Sequence, residues 1–136
     1  MISDGSVLRI KEEVTVAISH FIKAFNAGIV DDIVALYTED CVLLPPFGSI
    51  VNGTQQLRDF WNYAIHELKM SEVEHMVKNL EVLNEDFVSE STTFTATIDG
   101  RKEAGKYLVI WKRDENNRWR LHHDMFSMMS PSLAAE

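Results

Sequence analysis

Three ionisable side chains, Glu90, His122 and Asp124, sit in strand-like stretches whose other positions are largely apolar. A carboxylate beside an imidazole is ordinary equipment for moving a proton near neutral pH. Along the stretch 118–129, two-residue alternation puts Trp119, Leu121, His123 and Met125 on one face and Arg120, His122, Asp124 and Phe126 on the other. We read the second face as the lining of a pocket, with His122 and Asp124 turned inward, and the first as a face that meets a second subunit. In the run 88–98, Val88, Glu90, Thr92, Phe94, Ala96 and Ile98 form the apolar parity, so Glu90 stands where a carboxylate is costly unless it is paired. His122 or Lys106 is its expected partner. Glu90, His122 and Asp124 are therefore the candidate catalytic set. The competing reading is structural, with His122 and Asp124 a hydrogen-bonded pair closing the sheet and Glu90 solvated at the open end of its strand.

Tyr37, Trp61, Tyr107 and Trp111 are candidates to line the same pocket, although aromatic residues on an apolar stripe more often form plain core. No metal site is expected, because His122 and His123 point to opposite faces and His20, His66 and His75 show no ligand spacing. No cofactor is expected either. Cys41, without an adjacent histidine, reads as a small buried hydrophobe. Met128 and Met129 read as packing.

The elements that must position these groups are visible as changes of period. Val7, Ile10, Val14, Ala17, Ile18, Phe21, Ile22 and Phe25 recur at helical spacing, and Gly28 can close that helix in the left-handed conformation. Asp31 is placed to cap a second, shorter helix ending near Tyr37. Cys41 to Leu44 and Ile50-Val51 make a small hairpin about Pro45-Pro46. Asn52 with Gln55 resembles a capping box, and Leu57, Phe60, Trp61, Ala64, Ile65 and Leu68 give a third helical stripe. From there the period is two, with strands expected over Val73–Leu83, Phe87–Ile98, Ala104–Lys112 and Trp119–Met128. Asp99-Gly100 is a tight-turn signal. Helices followed by a meander of long antiparallel strands define an α+β class.

The 136 residues suit one domain spanning residues 1–136. The composition, 46% hydrophobic and 25% charged, is that of a globular protein, and no apolar run approaches the ~20 residues of a membrane-spanning helix. A net charge of −8, with no basic cluster beyond Lys112-Arg113, argues against a nucleic-acid partner. Met1 to Glu13 lacks the pattern of a secretory signal, and a single cysteine fits a reducing compartment, so a cytoplasmic location is expected.

Phe25-Asn26-Ala27-Gly28, the segment Val34 to Cys41, Gly53 ahead of Phe60-Trp61, and Gly105-Lys106-Tyr107 leading to Trp111 and Trp119 together resemble the nuclear transport factor 2-like superfamily over roughly residues 7–129. Within it the chain looks like the SnoaL-like and ketosteroid isomerase-like branch. The resemblance implies a cone-shaped fold, with three N-terminal helices packed on a curved, mainly antiparallel sheet that encloses a pocket. It also implies that Tyr107, Val109 and Trp111 on one strand, and His122, Asp124 and Phe126 on the next, face the cavity. Steroid isomerases of this superfamily place a tyrosine, a carboxylate base and a carboxylic acid at positions that fall here on Phe21, Pro45 and Val109, none of which can exchange a proton. Steroid isomerisation is therefore not expected. The scaffold hosts many activities, and two classes remain. One is an enzyme that binds a small apolar molecule and transfers a proton, in isomerase, cyclase or dehydratase fashion. The other is a non-catalytic, dimeric binding or association domain. The apolar outer face, read as Leu108, Ile110, Trp119, Leu121 and Met125, implies a homodimer in either case.

Overall fold

The structure, a computed structural model, describes residues 2–128, the side chain of Val77 excepted. Helix α1 (Asp4–Ala27) begins where the Ser3 hydroxyl accepts a hydrogen bond from Ser6 N and buries Ile10, Val14, Ile18 and Phe25 along one stripe. It ends as the sequence implies, at Gly28 with φ 72°, whose N–H bonds Phe25 O. Helix α2 (Val30–Val34), with Ile29 at its N-cap, starts two residues earlier than a helix capped by Asp31 would, and carries no side-chain cap. Asp31 thus lies inside its first turn and reaches outward to Arg58 Nε, 3.0 Å away, which corrects its capping role. Helix α3 (Gly53–Asn62) follows Asn52, whose backbone N–H is taken by Gln56 Oε1 rather than by Gln55. It continues into a π-helical turn, Tyr63–Glu67.

The strands are β1 (Tyr37–Leu44), β2 (Val51–Asn52), β3 (Met70–Val82), β4 (Phe87–Ile98), β5 (Arg101–Arg113) and β6 (Trp119–Met128). Among the described residues they form one curved, unclosed sheet in the order β2-β1-β6-β5-β4-β3. Every pairing is antiparallel except that of β1 with β6. Tyr37 therefore opens a strand instead of closing α2. Strand β5 begins three residues before expectation because Asp99 (φ 50°) and Gly100 (φ 81°) turn the chain in two residues, and Ile98 already pairs with Arg101. The first helix is fastened to the sheet at both ends of its inner stripe. Asn26 makes two bonds to the Val73 backbone, at 2.8 and 3.1 Å, and Glu13 accepts from Trp119 Nε1 at 2.9 Å. The core lies between these helices and the inward face of the sheet.

The inward parity of β4 is the one expected: Val88, Glu90, Thr92, Phe94, Ala96 and Ile98 are all buried. Strand β6 departs from strict alternation. Its partners on β5 step from Trp111↔Leu121 to Ile110↔His123, so His122 is an extra residue in a β-bulge. Before the bulge Trp119 and Leu121 are buried; after it Asp124 and Phe126 are, while His123 and Met125 are exposed. Trp119 and Leu121 thus belong to the helix-covered face, and they do not contribute to the outer apolar face assigned to them from the sequence. Met129 lies outside the described residues.

Candidate functional site

The bulge decides which groups converge. Below it, Asp124 is brought to the inner face opposite β1, where the Tyr37 hydroxyl donates to its Oδ2 at 2.6 Å. Among the described residues this is the one hydrogen bond the Asp124 carboxyl has. Burial pushes its pKa up to about 7, with the Tyr37 bond opposing and the nearby Glu90 adding to the rise. Tyr37 itself is raised well above the usual phenol value, by burial first and then by Asp124. A carboxyl that titrates near neutrality holds appreciable amounts of both its acid and its base form, which is what proton transfer requires.

Glu90, fully buried on β4, is held differently. Its Oε2 accepts from Thr92 Oγ1 at 2.5 Å and from the Tyr107 hydroxyl, and its Oε1 accepts from Trp111 Nε1 at 2.9 Å. Neither His122 nor Lys106 is its partner. Tyr107 Oη also lies 2.8 Å from His75 Nε2 on β3, which makes a continuous line from Glu90 through Tyr107 to His75. Burial, with help from Lys78, lowers the His75 pKa to about 4, so its ring is neutral at pH 7. Burial and Glu90 raise the Tyr107 hydroxyl.

Two small cavities with shared lining residues lie against these groups. One, of about 40 Å³, is lined by Phe21, Phe25, Trp61, Met70, Val73, His75, Phe94, Tyr107, Asp124 and Phe126. The other, of about 30 Å³, is lined by Ile18, Phe21, Glu90, Tyr107, Val109, Trp111, Leu121 and Asp124. Tyr107 and Asp124 border both. Each has room for at least one water, which needs about 10–15 Å³ of open volume.

Of the residues singled out from the sequence, Asp124, Glu90, Trp61, Tyr107, Val109, Trp111 and Phe126 are cavity walls, and Tyr37 stands behind Asp124. His122 is on neither wall. The bulge turns it toward β1, where Nδ1 lies 2.8 Å from Thr38 Oγ1 and 3.6 Å from Asp40 Oδ1, and its ring stacks on His123. The pairing of His122 with Asp124 is thereby corrected, in both its catalytic and its structural form. His75 was missed because a lone histidine in a polar stretch of a strand with two register shifts carries no pattern. Its nearest sequence signal was two-residue spacing from the buried Val73. Cys41 is buried and free, and burial raises its thiol pKa. Among the described residues no cluster of three His, Cys, Asp or Glu side chains forms a metal cage. No described helix is long and apolar enough to cross a membrane.

Solved structures similar to this fold carry diverse descriptions. A ketosteroid isomerase-like protein from Erwinia carotovora atroseptica aligns with TM-score 0.77 at 20% identity, covering 88% of this chain and 96% of its own. A hexachlorocyclohexane dehydrochlorinase from Novosphingobium barchaimii LL02 aligns with TM-score 0.79 at 12% identity, covering 94% and 92%. A protein of unknown function with a cystatin-like fold from Nostoc punctiforme aligns with TM-score 0.77 at 17% identity, covering 93% and 95%. At these identities the likeness is one of fold. A comparison with the curated proteins finds no match. The sequence model of the SnoaL-like domain matches residues 18–122, most of the chain, ending two residues before Asp124. This protein belongs to the SnoaL-like domain family.

Proposed function

We propose that this SnoaL-like protein binds a small apolar molecule against Asp124 and transfers a proton to or from it, in isomerase, cyclase or dehydratase fashion. One observation carries the reading: Asp124 is a buried carboxyl bordering both cavities, with a pKa of about 7 and, among the described residues, a single protein hydrogen bond. Glu90 and Tyr107 line the cavity from the same sheet, with Glu90 in register with Val109 and Val109 with Asp124. Steroid isomerisation is not part of the reading, since Phe21 and Val109 line the cavities without an exchangeable proton. The decisive experiment screens small apolar carbonyl and hydroxyl compounds by NMR against wild type and Asp124→Asn. Turnover in wild type that falls at least about 100-fold in the variant, with binding retained, supports a proton-transfer role. Turnover untouched by the substitution refutes it.

A second reading, a non-catalytic association domain, is favoured by the saturated hydrogen bonding of Glu90. Both readings accommodate a homodimer, which we propose on the outer face of the sheet. After the loss of Trp119 and Leu121 that face still carries the paired row Leu44–Met125–Leu108, between 37% and 47% exposed. Sedimentation at micromolar concentration that gives only the 15.6 kDa monomer would sink the dimer.

A further inference from the structure

Several groups meet at the Tyr107 hydroxyl, and their order fixes where its proton lies. Tyr107 borders both cavities, as Asp124 does. Its one hydroxyl proton goes to Glu90 Oε2, and its oxygen lies 2.8 Å from His75 Nε2. A hydroxyl whose proton is already given can only accept at its oxygen. Nε2 of the neutral His75 ring therefore carries the hydrogen, and Nδ1 keeps a bare lone pair. Among the described residues Nδ1 has no protein partner, and it is not one of the sealed polar atoms of the interior. His75 is partly exposed, on β3 at the edge of the sheet. The arrangement is held from β4. Phe94 pairs with His75 on one side and with Gly105 on the other, and its ring, 5.8 Å from that of Tyr107, occupies the space a β-carbon on Gly105 would need.

We propose that His75 and Tyr107 form a proton relay between solvent and the cavity that Asp124 borders. Its use in turnover rests on the reading of Asp124 as the proton-transfer group. In the inward direction Nδ1 takes a proton from solvent, Nε2 passes its own to the Tyr107 oxygen, and Tyr107 releases its hydroxyl proton to an acceptor in the cavity. One proton enters and one is delivered, so both residues end neutral and only the His75 tautomer has changed. A proton that Asp124 removes from one atom of a ligand is thus matched by one returned at another, and solvent is repaid when Asp124 sheds its own. Burial and Glu90 hold the Tyr107 hydroxyl protonated well above the usual phenol range, and the low pKa of His75 keeps its imidazolium scarce. Neither residue stores a charge, which suits passing protons on in step. Tyr107 meets the acceptor, Glu90 aims its hydroxyl at rest, and His75 acts through Tyr107.

The test needs no ligand and leaves Asp124 in place. In wild type at pH 7 the ring-nitrogen NMR resonances of His75 should show a protonated Nε2 and a bare Nδ1, and the opposite tautomer overturns the relay. Exchange of the Tyr107 hydroxyl proton with water, followed by saturation transfer, should slow at least about tenfold in His75→Gln, a modest part of what a positioned acid–base group contributes. The glutamine amide still donates to the Tyr107 oxygen but cannot take up one proton as it releases another. A purely structural histidine predicts otherwise, since the hydrogen bond is kept. An unchanged rate, or a faster one from a loosened sheet edge, overturns the proposal. Should His75→Gln not fold, the wild-type tautomer decides alone. The relay and the role of Asp124 can fail separately: unchanged exchange in His75→Gln leaves Asp124 its proton transfer, and unchanged turnover in Asp124→Asn leaves the hydroxyl exchange as it is.

Discussion

Two buried carboxyls on one sheet, Glu90 and Asp124, are solvated by the protein in opposite ways. Glu90 has three donors, Thr92, Tyr107 and Trp111, drawn from its own strand and the next, so its two oxygens are satisfied by a local piece of sheet. Asp124 has one donor, Tyr37, from a strand 87 positions away in sequence, and its other oxygen meets no protein hydrogen bond among the described residues. A buried carboxylate needs several donors to offset what it loses in leaving water. Fully supplied, Glu90 acts as a rivet between β4 and β5. Undersupplied, Asp124 keeps a proton near neutrality and has a lone pair to spend on something else. The comparison teaches that two carboxyls buried on one sheet face can be supplied very differently: burial raises the Asp124 pKa and its single donor only partly opposes it, whereas both oxygens of Glu90 have donors.

The largest expected effect breaks the rivet. Glu90→Ala removes the acceptor of three buried donors and opens a cavity besides, and should lower stability by roughly 3–5 kcal/mol in urea denaturation. Asp124→Ala, which strands only the Tyr37 hydroxyl, should cost about 1–3 kcal/mol. Equal losses in the two variants would erase the distinction between the sites.

The next effect is one of pH. The Asp124 carboxyl rises from 3.8 to about 7 on folding, so between those values the unfolded chain has released a proton that the native chain keeps. Stability from this residue is therefore fully present below about pH 4 and lost as pH climbs toward 7, by at most about 4 kcal/mol. His75 works in the other sense. Its pKa falls from 6.5 to about 4, so its contribution is present above pH 6.5 and lost as pH drops through that window. Thermal unfolding of wild type and Asp124→Asn at pH 4 to 8 separates them, since the substitution removes the first slope and leaves the second. Parallel curves would mean that Asp124 carries no raised pKa.

Most of the scaffold was legible because it is written in periods. The stripe Ile10-Val14-Ile18-Phe25 and the alternation Val88 to Ile98 each give an element and the side it buries. The residues around the cavities were largely legible for the same reason: Asp124, Glu90, Tyr107 and Trp111 hold positions where a fixed period carries a polar or amphipathic side chain inward. The partners were not. Tyr37 reaches Asp124 through the parallel pairing of β1 with β6, and a long-range parallel contact leaves no local mark on either strand. The bulge was the other loss. A single inserted residue inverts every assignment on one side of it, which misplaced Trp119 and Leu121. The visible sign was the doublet His122-His123 interrupting apolar alternation, two polar residues where a regular strand would offer one.

The smallest expected effect tests that bulge. His122 lies on the β1 side of the sheet, its ring within reach of Thr38 and Asp40 at the surface, and its pKa is lowered by burial and by His123. It touches neither cavity and makes no hydrogen bond to Asp124. Replacing it by alanine removes one partly buried hydrogen bond and leaves the bulge itself, which is a property of the backbone register. The loss should be under about 1 kcal/mol. The titration of Asp124, followed by its side-chain carboxyl carbon resonance, should stay at its wild-type midpoint. A His122→Ala protein that folds normally yet shifts the Asp124 midpoint by a full pH unit would show that the imidazole faces the cavity after all. That result would return the two residues to one proton-transfer pair and shrink the contrast between Asp124 and Glu90 to a difference in which base each acid is given.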